Sequence, residues 1–141
     1  MSKRETTDTI VIHCTQTPPG MDVDVDKVTQ WHKDRGFDTI GYHYLIKRDG
    51  TLQEGRQQDE VGAHAVAVNG TSVGVALVGG GTSSMGWEDN FAPIQLETLK
   101  TILLKLKSEY EIKKIIGHYE VDDKKECPSF DVPKWLEKNN I

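Results

Sequence analysis

Two apolar runs constrain this chain more than any other feature. "TIVIHC", residues 9–14, and "SVGVALVGG", residues 72–80, hold no formal charge and do not alternate polar with apolar residues. A strand with one wet face alternates, whereas a strand covered on both faces reads as a continuous β-branched run. Both segments are therefore predicted as interior strands, and a sheet covered on both faces needs helices against it.

The helices are legible between them. "DVDKVTQWHKDRG" predicts a helix from about 25 to 35, capped by Asp24 and ended by Gly36 in the left-handed conformation. "APIQLETLKTILLKLKSEY" predicts the longest helix, about 93–110, with Pro93 in its first turn and Leu96, Leu99, Leu103, Leu106 and Tyr110 on its apolar face. "DVPKWLEKN" predicts a short last helix capped by Asp131, with Trp135 and Leu136 facing inward. "YHYLIKRDGTLQEGR" reads as a hairpin turning at Asp49-Gly50, a pair in which both positions tolerate positive φ, and "KKIIGH" as a short strand ending at His118. The expected fold is α/β: one domain over residues 1–141, with a central mixed sheet of about five strands and helices packed on its faces.

The totals exclude several classes. A net charge of −5 argues against a nucleic-acid partner. No apolar run approaches the roughly 18 residues of a membrane helix. "MSKRETTDTI" lacks the apolar stretch of a secretory signal, so synthesis in a cytoplasm is expected. Monomer is the default oligomeric state. The two cysteines, Cys14 and Cys127, are expected as free thiols there, with Cys14 a small buried apolar residue.

Chemistry concentrates in the histidines and in "GHYEVDDKKECPSFD", residues 117–131. His13 and His118 each end a predicted strand, and Cys127 follows His118 after a charged loop. Two imidazoles and a thiolate are borderline-soft donors suited to zinc, and three protein ligands leave a fourth position for water, the catalytic pattern. No short zinc motif joins these residues, so only the fold could assemble them. Strand alternation sends His13 and Cys14 to opposite faces, and Tyr42 and His43 likewise. His32 reads as a surface or packing residue on its helix. Trp31, Trp87 and Trp135 read mainly as core, Trp87 being the one placed in a loop where it could meet a sugar.

"IVIHCTQTP", "WHKDRGFDTIGYHYLIKRDGT", "VGAHA", "GVALVGG" and "GHYEVDDKKECPSFD" follow one another in that order. Together they resemble the small phage zinc amidases of the T-seven lysozyme type, which share their fold with the peptidoglycan recognition proteins. The resemblance runs from about Thr6 to Asn139. It implies N-acetylmuramoyl-L-alanine amidase activity on peptidoglycan, one Zn2+ held by His13, His118 and Cys127, catalytic roles for Tyr42 and Lys125, and a substrate contact at His64. The stretch from Val121 to Cys127 is one residue longer than in the relatives it resembles. Lys124 therefore stands beside Lys125, and spacing to Cys127 selects Lys125. The resemblance also implies action on the host wall once the membrane is opened, and it raises the phage RNA polymerase as a second partner. Two rival readings remain: a peptidoglycan-binding module without activity, and a cysteine hydrolase using Cys14 or Cys127 with a histidine base.

Overall fold

The computed structural model describes residues 2–141. Strand β1 (Thr9–Cys14) and strand β4 (Ser72–Leu77) are buried at every position, as their unbroken apolar sequences require. They pair in parallel with His13 opposite Ala76. Strand β5 (Lys114–Gly117) flanks β1 in parallel, and the hairpin of β2 (Tyr44–Ile46) and β3 (Leu52–Glu54) completes the sheet beyond β4. The order is β3-β2-β4-β1-β5, with β3 alone antiparallel.

The hairpin corrects one expectation. Its tight turn is centred on Arg48 and Asp49, closed by Gly50 N–H donating to the Lys47 carbonyl at 2.9 Å. Only Gly50 takes positive φ, at 87°. Asp49 instead accepts the Thr51 N–H at 2.9 Å, so its side chain stabilises the turn without adopting the left-handed conformation.

Helix α1 (Val25–Asp34) covers one face of the sheet, where Val28 packs with Leu45, Ala76 and Val78. Asp24 caps it by accepting the Lys27 N–H, and Gly36 follows it at φ 93°. Helices α2 (Pro93–Glu109) and α3 (Val132–Lys138) cover the other face, packing Leu99, Ile102, Leu103, Leu106 and Val132 on Ile10, Ile12, Val73, Val75 and Leu77. The buried stripe of α2 also includes Gln95, a polar residue outside the predicted apolar face. Its amide donates to the Val78 carbonyl at 2.9 Å, and its Oε1 accepts the Ala92 N–H at 2.9 Å. That one side chain serves both the helix start and a carbonyl just past the end of β4.

Alternation along β1 decides which residues reach which face. Ile10 and Ile12 point toward α2, so Val11 and His13 point the other way, toward α1 and the loop of residues 61–71. The register Ile12–Gly117 brings the next pair, His13 and His118, to adjacent strand ends. The site is thus set by the pairing of two parallel strands.

Candidate active site

At this edge His13, His118 and Cys127 each present one potential ligand atom, and the three atoms lie within 4.8 Å of one another. His13 comes from the end of β1, and His118 opens a 3-10 turn directly after β5. Cys127 returns through the loop, which is held by Tyr119 N–H donating to the Cys127 carbonyl at 3.0 Å. The donor set suits a metal ion in three respects. The separations are those that one ion could span. The Cys127 sulfur accepts the Cys14 N–H at 2.8 Å, a bond that strengthens when the sulfur is a thiolate. Burial holds His13 and His118 below the usual imidazole range, so both are neutral donors at pH 7. Burial also pushes the free Cys127 thiol up, so ligation would have to displace its proton.

A cavity of about 670 Å³ opens beside these residues, lined among others by Tyr42, His64, His118, Lys125 and Cys127. Tyr42 lies in the α1–β2 loop, two residues before β2, and its ring centroid is 5.1 Å from that of His13. Burial raises its phenol pKa well above the ordinary value, so the hydroxyl keeps its proton. Lys125 lines this cavity and also a neighbouring one of about 610 Å³. Its charge disfavours the protonated forms of both His118 and Cys127. Lys124 lines neither cavity. Trp87 lines both, which sets it apart from Trp135, packed against Phe130.

His43 and His32 hold backbone groups. His43 Nδ1 accepts the Gly74 N–H at 2.9 Å, and its Nε2 lies 2.7 Å from the Glu60 carbonyl. His32 is buried rather than on the surface, and its Nδ1 accepts the Gly41 N–H at 2.8 Å, fixing the backbone just before Tyr42. His64 reaches the cavity wall, but its ring nitrogens lie against His13 and Ser72. Sequence reasoning missed Ser72 and Asn69, which hold that ring and its loop. The available signal was the run of small residues Ser72, Gly74 and Ala76 on one face of β4. Cys14 is buried, as expected, and its Sγ has Ser129 Oγ at 3.9 Å.

The buried imidazoles predict an acid-sensitive fold. His32 and His43 are each lowered to about 4, mainly by burial, from an unfolded value near 6.5. Below pH 6.5 the unfolded chain takes up protons that the native chain refuses. Stability is therefore complete above that pH and is lost as pH falls toward 4. The loss is on the order of 2–3 kcal/mol for each residue. A metal-free melting midpoint that stays flat from pH 7 to pH 4.5 would contradict this.

Two imidazoles and a thiol at the carboxyl edge of a largely parallel sheet lie close enough together that they could hold one metal ion, beside a cavity lined by a tyrosine and a lysine. Comparisons with known proteins show the family. A family model described as N-acetylmuramoyl-L-alanine amidase matches residues 3–130. The endolysin of Klebsiella phage KP32 is 45% identical over 140 residues, spanning 99% of this chain and 92% of that protein. The endolysin of Escherichia phage T7 is 44% identical over 139 residues, spanning 99% and 91%. The solved N-acetylmuramoyl-L-alanine amidase LysC from Clostridium intestinale superposes with a TM-score of 0.81 at 30% identity, covering 96% of this chain and 87% of that one. Drosophila PGRP-LB superposes at 0.76 with 26% identity, covering 92% and 78%. The chain belongs to the N-acetylmuramoyl-L-alanine amidase family, the amide-hydrolysing family that includes these phage endolysins. Among the described residues no helix is long and apolar enough to cross a membrane.

Proposed function

We propose that the chain is a zinc-dependent amidase that cuts peptidoglycan between the lactyl group of N-acetylmuramic acid and the first L-alanine of the stem peptide. The observation that carries this reading is the convergence of His13, His118 and Cys127 within 4.8 Å, beside Tyr42 and Lys125 on one cavity wall. Zinc held there supplies Lewis acidity toward a carbonyl and toward water, whose pKa it lowers to about 7.

The chain's own groups supply the rest. Lys125 donates to the amide oxygen as negative charge develops on it, the role of an oxyanion donor. Tyr42, its proton retained by burial, acts as a hydrogen-bonding group that orients the attacking water rather than as a base. The oxygen of the attacking water bonds to the carbonyl carbon, the C–N bond breaks, and the proton the water gives up leaves on the peptide amine, so the products are a carboxylate-bearing lactyl group and a free amine. The cavity, lined also by Arg35 and Phe37 just after α1, takes the substrate beside the donors.

Chelation separates this reading from a thiol hydrolase. Treatment with a zinc chelator is expected to abolish muropeptide release, and stoichiometric zinc to restore it. Activity indifferent to chelation would instead support a cysteine nucleophile. Tyr42→Phe is expected to keep its zinc and to lose roughly tenfold or more in kcat, at the lower end of acid–base and positioning effects. A variant with wild-type turnover would remove Tyr42 from the chemistry.

A further inference from the structure

His13 Nε2 lies 2.8 Å from Nδ1 of His64. The other His64 nitrogen, Nε2, lies 3.3 Å from Ser72 Oγ, and the Ser72 hydroxyl donates to the Val68 carbonyl at 2.7 Å. The inventory of protons gives this chain one direction. The Ser72 hydroxyl has a single hydrogen, committed to Val68, so its oxygen accepts from His64 Nε2–H. A neutral imidazole carries one N–H, so His64 Nδ1 is bare and accepts from His13 Nε2–H. His13 is left with Nδ1 as its lone-pair nitrogen, the tautomer in which a histidine can ligate a metal while its other nitrogen is held.

We infer that His64 is a positioning residue for the metal site, acting through His13, with Ser72 and the Val68 carbonyl as its anchor. This inference rests on the zinc reading above. The fold is built around the arm. Asn69 Oδ1 accepts the N–H groups of both His64 and Ala65, at 2.9 and 2.8 Å, fixing the backbone that carries the ring. Gly74 leaves the space the ring occupies, since a Cβ there would lie 2.6 Å from His64 Cγ. A Cβ on Gly62 would lie 2.6 Å from His64 Cδ2 on another side. His64 and Ser72 are both buried, so water does not replace either partner cheaply. With its nitrogens engaged inside the protein, the ring offers the cavity only carbon edges. That explains a polar residue type at a wall position without making it a substrate hydrogen-bonding group.

The test measures zinc affinity by chelator competition in wild type, His64→Leu, His64→Gln and Ser72→Ala, with kcat and KM recorded at saturating zinc. His64→Leu fills the site without an acceptor and is expected to weaken zinc by about 10–100-fold, the range for lost outer partners of metal-bound histidine. His64→Gln restores an acceptor and is expected to recover part of that loss. Ser72→Ala is expected to weaken zinc several-fold, with KM unchanged. Wild-type zinc affinity in His64→Leu, with a raised KM, would overturn the inference in favour of a direct substrate contact. Should His64→Leu fail to fold, as judged by circular dichroism, unchanged zinc affinity in Ser72→Ala overturns it instead. A wild type that binds no zinc would defeat the zinc reading itself, and this is measured first.

Discussion

Cys127→Ser is expected to lose zinc and muropeptide release together, each by at least about 100-fold, while the fold persists. Cys127 supplies the only donor of the three that carries a charge when it ligates, since His13 and His118 are neutral in this environment. A serine oxygen is harder and shorter than the sulfur, and its proton is not displaced near neutral pH. The Cys14 N–H that now donates to sulfur at 2.8 Å would face a neutral hydroxyl. The measurement is metal content after gel filtration, beside muropeptide release, for the variant and wild type. Cys14→Ser is the control: it alters a buried sulfur in the same neighbourhood that is outside the donor set. Near-stoichiometric zinc in Cys127→Ser with unchanged release would defeat the assignment. So would a Cys14→Ser variant that alone lost activity with zinc retained, the outcome a thiol nucleophile at Cys14 would give.

Much of this architecture is legible in the sequence because the strands that matter are buried on both faces. The runs "TIVIHC" and "SVGVALVGG" read as buried strands and are so, and the helix caps at Asp24 and Asp131 lie where their carboxylate acceptors are needed. The proposed metal donors were readable as residue types, His13 and His118 at strand ends and Cys127 in a loop, but their convergence was not. It depends on the register that sets Ile12 against Gly117, a non-local pairing that no local pattern encodes. The polar residues that the core itself requires were less visible still. Gln95 sits on the buried stripe of an otherwise leucine-rich helix, and only the carbonyl of Val78 above it gives that position a reason to be polar. His32, on α1, has the same explanation: its partner is the Gly41 N–H, nine residues on, in a loop whose course the helix pattern does not predict. The resemblance implied a substrate contact at His64, whereas a histidine between alanines reads by itself as structural, and the ring does reach the cavity wall. What the sequence does not show is that its ring also fills the space over Gly74, ten residues on in β4, at a position only the folding of the intervening loop determines.

Lys125→Ala is expected to lower kcat by about 10²–10³-fold, the cost of one oxyanion donor, with zinc content unchanged. Lys124→Ala is expected to stay within about twofold of wild type, as an exposed surface substitution should. The extra residue between Val121 and Cys127 makes the two lysines competitors, and the turn at Asp122 separates them. Asp122 Oδ1 accepts the Lys124 N–H at 3.0 Å, and the Asp122 carbonyl accepts the Lys125 N–H at 3.1 Å. The backbone so held leaves Lys125 on the walls of both cavities and Lys124 on neither. The same carboxylate has its other oxygen 3.9 Å from His118 Nε2, so the lysine turn lies beside the proposed donor without a hydrogen bond to it. Lys125→Arg keeps the charge but replaces a compact ammonium with a planar fork, and is expected to recover only part of kcat. If Lys125→Ala retained full turnover with zinc bound, no oxyanion role would remain for it. If Lys124→Ala carried the loss instead, the longer loop would have to swing its lysines by one position when substrate enters, and the spacing to Cys127 would no longer identify the catalytic cation.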